Sequence, residues 1–255
     1  MLSIDVIDDH FHAKNLEYRC LRNGEDEIVS WIWNGQKAYA RLSKEGNYQI
    51  AVCVKDEVNQ DSGWKSLPAF TIDKSKPMIQ IDNQLSTYTN QSQTFTLCIY
   101  EQHFDEKLVK LDLSDNFQTT QWDHDGDMHY LTLSTIQDGS YHLNVDVIDQ
   151  ANNKCEKPFI VDFIVDRKAP ELTLHGIQPF QSYDHALQPY LYISEDYLQN
   201  CIVTLTSKNH SSQTFIPTIK DKQKLFYDLS LLNEDDLYQL HIDAKDHAGN
   251  HLDYH

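Results

Sequence analysis

Three stretches of this chain, GNYQIAVCVKDEVNQ, GSYHLNVDVIDQANN and DLYQLHIDAKDHAGN, share one design. Each has a tyrosine, then alternating apolar and polar residues, then an aspartate that closes the run. Tyr48, Tyr141 and Tyr238 are separated by 93 and 97 residues, and Asp56, Asp149 and Asp246 keep the same intervals. Asp73 in FTIDKSKP and Asp166 in FIVDRKAP are also 93 apart, as are Phe11 in IDVIDDHF and Phe104 in LCIYEQHF. YISEDYL continues that last match into the final third of the chain. A repeat of this length is a whole structural unit copied three times, so the chain must fold as an array of like modules.

Each module reads as strands. In the middle one, Phe95, Leu97 and Ile99 alternate with polar residues, as do Val109, Leu111 and Leu113. PMIQIDN, FQTTQW, MHYLTLS, YHLNVDVID and KPFIVDFIVD bring the number of short strands to seven. Period-two alternation at this density predicts an antiparallel sandwich with one wet face on each sheet. Asn34-Gly35 and Asp125-Gly126 fall at equivalent places between the fourth and fifth strands, where a tight hairpin needs positive φ. No helical period persists.

Seven strands, A to G, suit an immunoglobulin-type sandwich. Tyr48, Tyr141 and Tyr238 open strand F, where a tyrosine hydroxyl can fold back onto the preceding turn. Two residues later, where antibody domains carry a core cysteine, stand Ile50, Leu143 and Leu240. Cys20, Cys53, Cys98, Cys155 and Cys201 are odd in number and share no spacing, so they read as isolated thiols. Cys20 is in the core phase, Cys53 and Cys98 are in the polar phase, and Cys155 lies in a loop. The expected architecture is all-β, with three tandem immunoglobulin-like β-sandwich domains over residues 1–76, 77–169 and 170–255. The first should lack strand A and the last strand G, as in a window cut from a longer array. The first residues carry acid where a secretion signal carries Lys or Arg.

DHAGN (Asp246–Asn250) closing a strand, with VDRKAP (Val165–Pro170) joining units, resembles the bacterial Ig-like repeats of long cell-surface proteins and adhesins. The resemblance covers all three units, although the first departs with DEVNQ and the second with DQANN. It implies an extracellular tandem sandwich at the bacterial surface, used as a stalk or adhesive module.

Charge narrows the partners. With 39 acidic against 21 basic residues the net charge is −18, which repels phosphate backbones and excludes nucleic acid as a partner. No apolar run is long enough to insert in a membrane. The acid is concentrated after residue 76, and topology says where it gathers. In a seven-strand sandwich the start of strand A meets the B–C, D–E and F–G loops at one end. Asp73 should therefore approach Glu101, the DHDGD turn (Asp123, Asp125, Asp127) and Asp149. Asp166 should approach Glu195, Asp196, Asp246 and Asn250. Converging carboxylates are what calcium, a hard cation with six to eight oxygen ligands, requires. The competing reading is that each F–G aspartate caps its own turn. DHDGD lacks the glycine and distal glutamate of an EF-hand.

His10 and His12 in HFH, and His124 and His129 in DHDGDMH, raise zinc against the plainer reading of solvated loop histidines. Trp31 and Trp33 alternate into the core, which leaves Trp64 as the ring for a sugar to stack on. There is no G-x-S-x-G, H-E-x-x-H or phosphate loop, so no enzyme is expected. Two readings stand. One is a non-catalytic stalk or adhesion segment, a monomeric rod meeting a host or cell-wall protein or glycan. The other is an accessory spacer or carbohydrate-binding region of a secreted hydrolase.

Overall fold

The computed structural model describes residues 2–8, 11–209, 212–221, 224–229, 232 and 234–255. Its only helix among them is the single turn Glu106–Leu108; everything else regular is strand. The backbone gathers into two compact units. One holds Met1–Met78 with Glu101–Leu108 and Val147–Glu156; the other holds Ile79–Tyr100, Val109–Asp146 and Lys157–His255.

The first unit contains one sandwich. Its strands are β1 (Leu2–Asp5), β2 (Phe11–Arg22), β3 (Glu25–Asp26), β4 (Trp31–Asn34), β5 (Lys37–Ala40), β6 (Gly46–Asp56), β7 (Lys65–Ser66) and β8 (Phe70–Ile72). One sheet runs β1-β5-β4; the other runs β3-β2-β6, with β7 and β8 in turn on the far edge of β6. The order matches B-E-D facing C-F-G, so the sheet opens on strand B. Tyr48, Ile50 and Val52 from β6 meet Cys20 from β2 and Ala40 from β5, and Trp31 packs on the same cluster.

The second unit contains two sandwiches. The earlier one uses β9 (Met78–Ile81), β10 (Tyr88–Thr89), β11 (Thr94–Tyr100), β12 (Val109–Leu113), β13 (Phe117–Thr119), β14 (Asp123–Asp125), β15 (Met128–Thr135), β16 (Gly139–Val147) and β17 (Phe159–Val165). Its sheets are β9-β11-β15-β13 and β10-β17-β16-β12, the first strand having been divided between them. Rings from both sheets interlock at its centre: Phe95 and Phe117 from one, Tyr141 and Phe163 from the other, with centroids 4.8–6.4 Å apart.

The later one uses β18 (Glu171–His175), β19 (Tyr190–Ser194), β20 (Leu198–Ser207), β21 (Gln213–Phe215), β22 (Ile219–Asp221), β23 (Lys224–Asp228), β24 (Tyr238–Asp246) and β25 (His251–Tyr254). Sheets β18-β19-β23-β22 and β21-β20-β24-β25 close on Leu191, Ile193, Val203, Tyr227 and Ile242. The expectation that this unit lacks strand G is corrected here. After the turn at Asp246, HLDY still alternates, and β25 pairs Ile242 with Tyr254 and Lys245 with His251. Strand G is short rather than missing.

Local sequence explains the corners. Gly35 and Gly126 have φ of 60° and 59°, and the registers Asn34↔Lys37 and Asp125↔Met128 make each glycine the first central residue of a two-residue turn. That is the type II′ arrangement, whose twist suits the flanking strands. The tyrosine corner forms in two of three places. Tyr48 and Tyr141 are buried, and their hydroxyls donate to the carbonyls of Lys44 (2.8 Å) and Gln137 (2.7 Å). Each ring also stacks flat on the phenylalanine paired with it across strand G, Phe70 or Phe163. Tyr238 is half-buried, because β25 pairs with β24 only over Ile242–Lys245 and sets no ring beside it.

None of the five cysteines forms a disulfide. Cys53 and Cys98 are buried despite lying out of phase with their strands' core residues, so the polar-phase placement is corrected. Replacing Tyr141 by Phe should lower the opening free energy of β16 by about 1 kcal/mol, the net worth of one hydrogen bond, measured by amide exchange. The same change at Tyr238 should leave β24 unaltered.

Candidate functional site: the linker clamps

Asp56, Asp149 and Asp246 each end an F strand and each closes the same turn. Their amides donate to the carbonyls of Gln60, Asn153 and Asn250, four residues on, at 3.0–3.1 Å. The carboxylate Oδ1 of each accepts the amide of that same residue at 2.7–2.8 Å. The turn-capping reading of these aspartates therefore holds, and it holds three times.

Two of the turns go further. Asn153 Nδ2 donates to Asp149 Oδ2 (2.7 Å) and to the backbone carbonyl of Asp73 (3.2 Å). Asn250 Nδ2 donates to Asp246 Oδ2 (2.7 Å) and to the carbonyl of Asp166 (2.8 Å). The buried aspartate orients the amide, and the amide grips the linker that leaves the preceding strand G. Asp149 and Asp246 are 1% and 0% exposed, so each carboxylate depends on these donors for its solvation. The first turn carries Gln60 instead, and its cap stops at Asp56.

The linker aspartates reach the same neighbourhoods. Asp73 Oδ1 accepts the Ser75 amide (2.9 Å), and Asp166 Oδ1 accepts the Lys168 amide (3.1 Å). Glu101 and Glu195 accept the amides of His103 and Tyr197, two residues on. The two joints repeat these backbone hydrogen bonds, and they differ in the side chain that faces the linker aspartate. In the first joint His103 Nδ1 lies 2.7 Å from Asp73 Oδ2. In the second, Tyr197 occupies that position and stacks edge-on with Tyr88 at 5.6 Å.

Charge follows from that exchange. Burial pushes the Asp73 carboxyl up, but hydrogen bonds from Ser75 and His103 outweigh it and hold Asp73 below the usual range. Burial pushes Glu101 up, with Asp149 and Asp73 adding to it against the His103 amide. In the second joint both carboxyls rise. Asp166 is pushed up by burial and then by Asp246 and Asp138, and Glu195 by burial and then by Asp166 and Asp246. Ligand oxygens of Asp166 and Glu195 lie within 4.8 Å of each other, so a charge on Asp166 raises the carboxyl of Glu195.

Oxygen and nitrogen ligand atoms lie within 4.8 Å of one another in two groups here: Asp73, Glu101 and His103, and Asp166, Glu195 and Asp246. Five of the eight residues singled out for calcium thus fall in such groups. Asp149 is turned onto Asn153, and Asn250 faces the cluster as a donor rather than as an oxygen ligand. Asp196 is exposed and outside the group. Asp123 and Asp125 lie exposed on β14. His103 and Asn153 were missed, yet DQANN and DHAGN both show an asparagine four places after the aspartate. That spacing was the legible signal.

Elsewhere, His124 and His129 face each other across the β14–β15 hairpin with their Nδ1 atoms 2.8 Å apart, a hydrogen-bonded pair. His10 and the side chain of His12 lie outside the described residues. Trp64 is 42% exposed, but the Arg19 guanidinium stands 4.4 Å over its ring and covers one face.

No family model matches the chain, and no curated protein matches it. Among solved structures it is similar to FdeC, an Escherichia coli adhesin described as eliciting protection against urinary tract infections. The identity is 11% and the TM-score 0.35, over 95% of this chain and 80% of that one. No helix among the described residues is long and apolar enough to cross a membrane.

Acidification should strengthen the second joint. A carboxyl whose folded-state value is raised contributes stability below its unfolded value and loses it as pH rises through the folded one. Both Asp166 and Glu195 are of this kind. Without divalent metal, the Lys168 and Tyr197 amides should be better protected near pH 5 than at pH 7.5, after correction for intrinsic exchange. Equal protection would show that these carboxyls do not titrate in that window.

Proposed function

We propose that this chain is a non-catalytic stalk segment of a bacterial cell-surface adhesin, built as three Ig-like domains over residues 1–76, 77–169 and 170–255. The observation that carries the reading is the clamp. An enzyme would concentrate its unusual polar contacts around a substrate cleft. Here they are concentrated where a linker leaves one domain, and they are repeated bond for bond at both linkers. Such contacts resist separation of neighbouring modules, which is the requirement of a segment that transmits force between a surface and whatever its outer end grips. The partner is then a host or cell-wall protein or glycan met by this or a neighbouring part of the polypeptide.

Single-molecule pulling tests it. The chain should unfold in discrete steps, one per sandwich, with the joints intact until the first step. Replacing Asn153 and Asn250 by Ala should remove about 2 kcal/mol per joint, two hydrogen bonds to buried or charged groups, and add compliance before the first step. Smooth extension at low force in the wild type would rule out a load-bearing role.

A second reading concerns the second joint, favoured by its three carboxylates without the histidine that serves the first. A calcium ion bound by Asp166, Glu195 and Asp246 would offset their repulsion and fix the linker. Calorimetric titration at pH 7.5 should give one calcium equivalent, lost in Glu195→Gln and retained in His103→Ala. No heat at millimolar calcium would overturn this reading.

A further inference from the structure

The outward face of β24 and β25 carries a row of histidines and aspartates. His241 and Asp243 on β24 stand beside Asp253 and His251 on β25, with Asp243 and Asp253 directly paired. His255 continues the outward series past the end of β25. His241 Nε2 and His255 Nε2 both lie 3.1 Å from one oxygen, Oδ1 of Asp253. Their rings are stacked, with centroids 4.3 Å apart and planes within 6°. One step along the ribbon, His251 Nε2 is 3.0 Å from Asp243 Oδ1. The inward residues of the same strands, Ile242, Ala244, Leu252 and Tyr254, belong to the sandwich core and hold the two backbones in fixed register.

We propose that His241, Asp253 and His255 form a binding site for zinc, which clips the short strand β25 onto β24. One ligand atom from each of the three residues lies within 4.8 Å of the other two, and an imidazole nitrogen and a carboxylate oxygen are both zinc ligands. The 3.1 Å separations are hydrogen-bond distances that a shared zinc ion would replace, with the part-exposed rings turning out of their stack to aim both nitrogens at it. Ligands bound about 2.0–2.2 Å from a tetrahedral zinc ion stand about 3.3 Å from one another. The two observed nitrogen–oxygen separations of 3.1 Å are within a few tenths of an ångström of that edge. Two histidines and one carboxylate leave the fourth position to water, the ligand set of an open zinc site. The imidazole–carboxylate mixture favours zinc over calcium, which takes six to eight oxygens. Asp243 and His251 lie outside the three-ligand set and supply a second His–Asp pair beside it.

The consequence falls on the sandwich edge. β25 is four residues long and lies at the edge of its sheet, so its backbone is paired on one side only. An ion held by His241 of β24, Asp253 of β25 and His255 just past its end stabilises the paired state by mass action.

The test uses the untagged chain with zinc chloride at pH 7.5. Calorimetry should give a zinc equivalent that His241→Ala and His255→Ala each weaken by at least about tenfold. His124→Ala, at the other histidine pair, should leave it in place. Zinc should also slow amide exchange at Leu252 and Tyr254 in the wild type and not in His255→Ala. Absence of zinc binding by the wild type, or affinity unchanged in both His241→Ala and His255→Ala, would overturn the proposal. So would zinc uptake that leaves exchange in β25 unaltered.

Discussion

A carboxylate buried at the end of an F strand must find hydrogen-bond donors within its own turn, because water cannot reach it and no lysine or arginine is bonded to it. Asp149 and Asp246 satisfy that requirement with the amide and the side chain of an asparagine four residues later. The demand fixes the asparagine's rotamer, and the fixed rotamer leaves one amide hydrogen aimed at the linker carbonyl. Linker attachment is thus a by-product of solving a burial problem. Remove the buried charge and nothing holds the asparagine; remove the asparagine and the charge is stranded.

The two joints show how one substitution on an unchanged backbone alters electrostatics. His103 and Tyr197 occupy corresponding positions, and their amides bond the preceding glutamate identically. Ser75 and the histidine together hold the linker aspartate's carboxyl low against its burial, whereas the tyrosine packs on aromatic surface and two neighbouring acids are both raised by burial and by nearby carboxylates. The joints therefore share a mechanical design and diverge in their response to protons and cations. Backbone and clamp amides carry the first property, and the side chains gathered around each linker aspartate set the second.

Much of this was legible from particular residues. The alternation in YHLNVDVID fixed both the strand and its inward face, since side chains on a strand must point to opposite sides. Tyr141, two residues before Leu143, announced the corner. The aspartates 93 and 97 residues apart announced equivalent turns. Other features were not legible. Cys53 and Cys98 sit in the outward phase and are nevertheless covered, because alternation reports which sheet face a residue occupies and not what lies over that face. His103 looked like one of many loop histidines. His255, at the end of an alternating HLDYH, gave no hint that it would stack on His241.

The sequence by itself determined what depends on neighbours along the chain: the strands, the II′ turns at Gly35 and Gly126, the aspartate caps and the threefold copying. These follow from backbone geometry and period-two side-chain placement, which are properties of a few consecutive residues. Tertiary structure alone decided which charged groups share a space. Asp166, Glu195 and Asp246 come from three separate segments, and Asp73 meets His103 across thirty residues. Their separations are set by strand pairing and core packing, so the protonation and ion affinity of each cluster follow from how the sheets close.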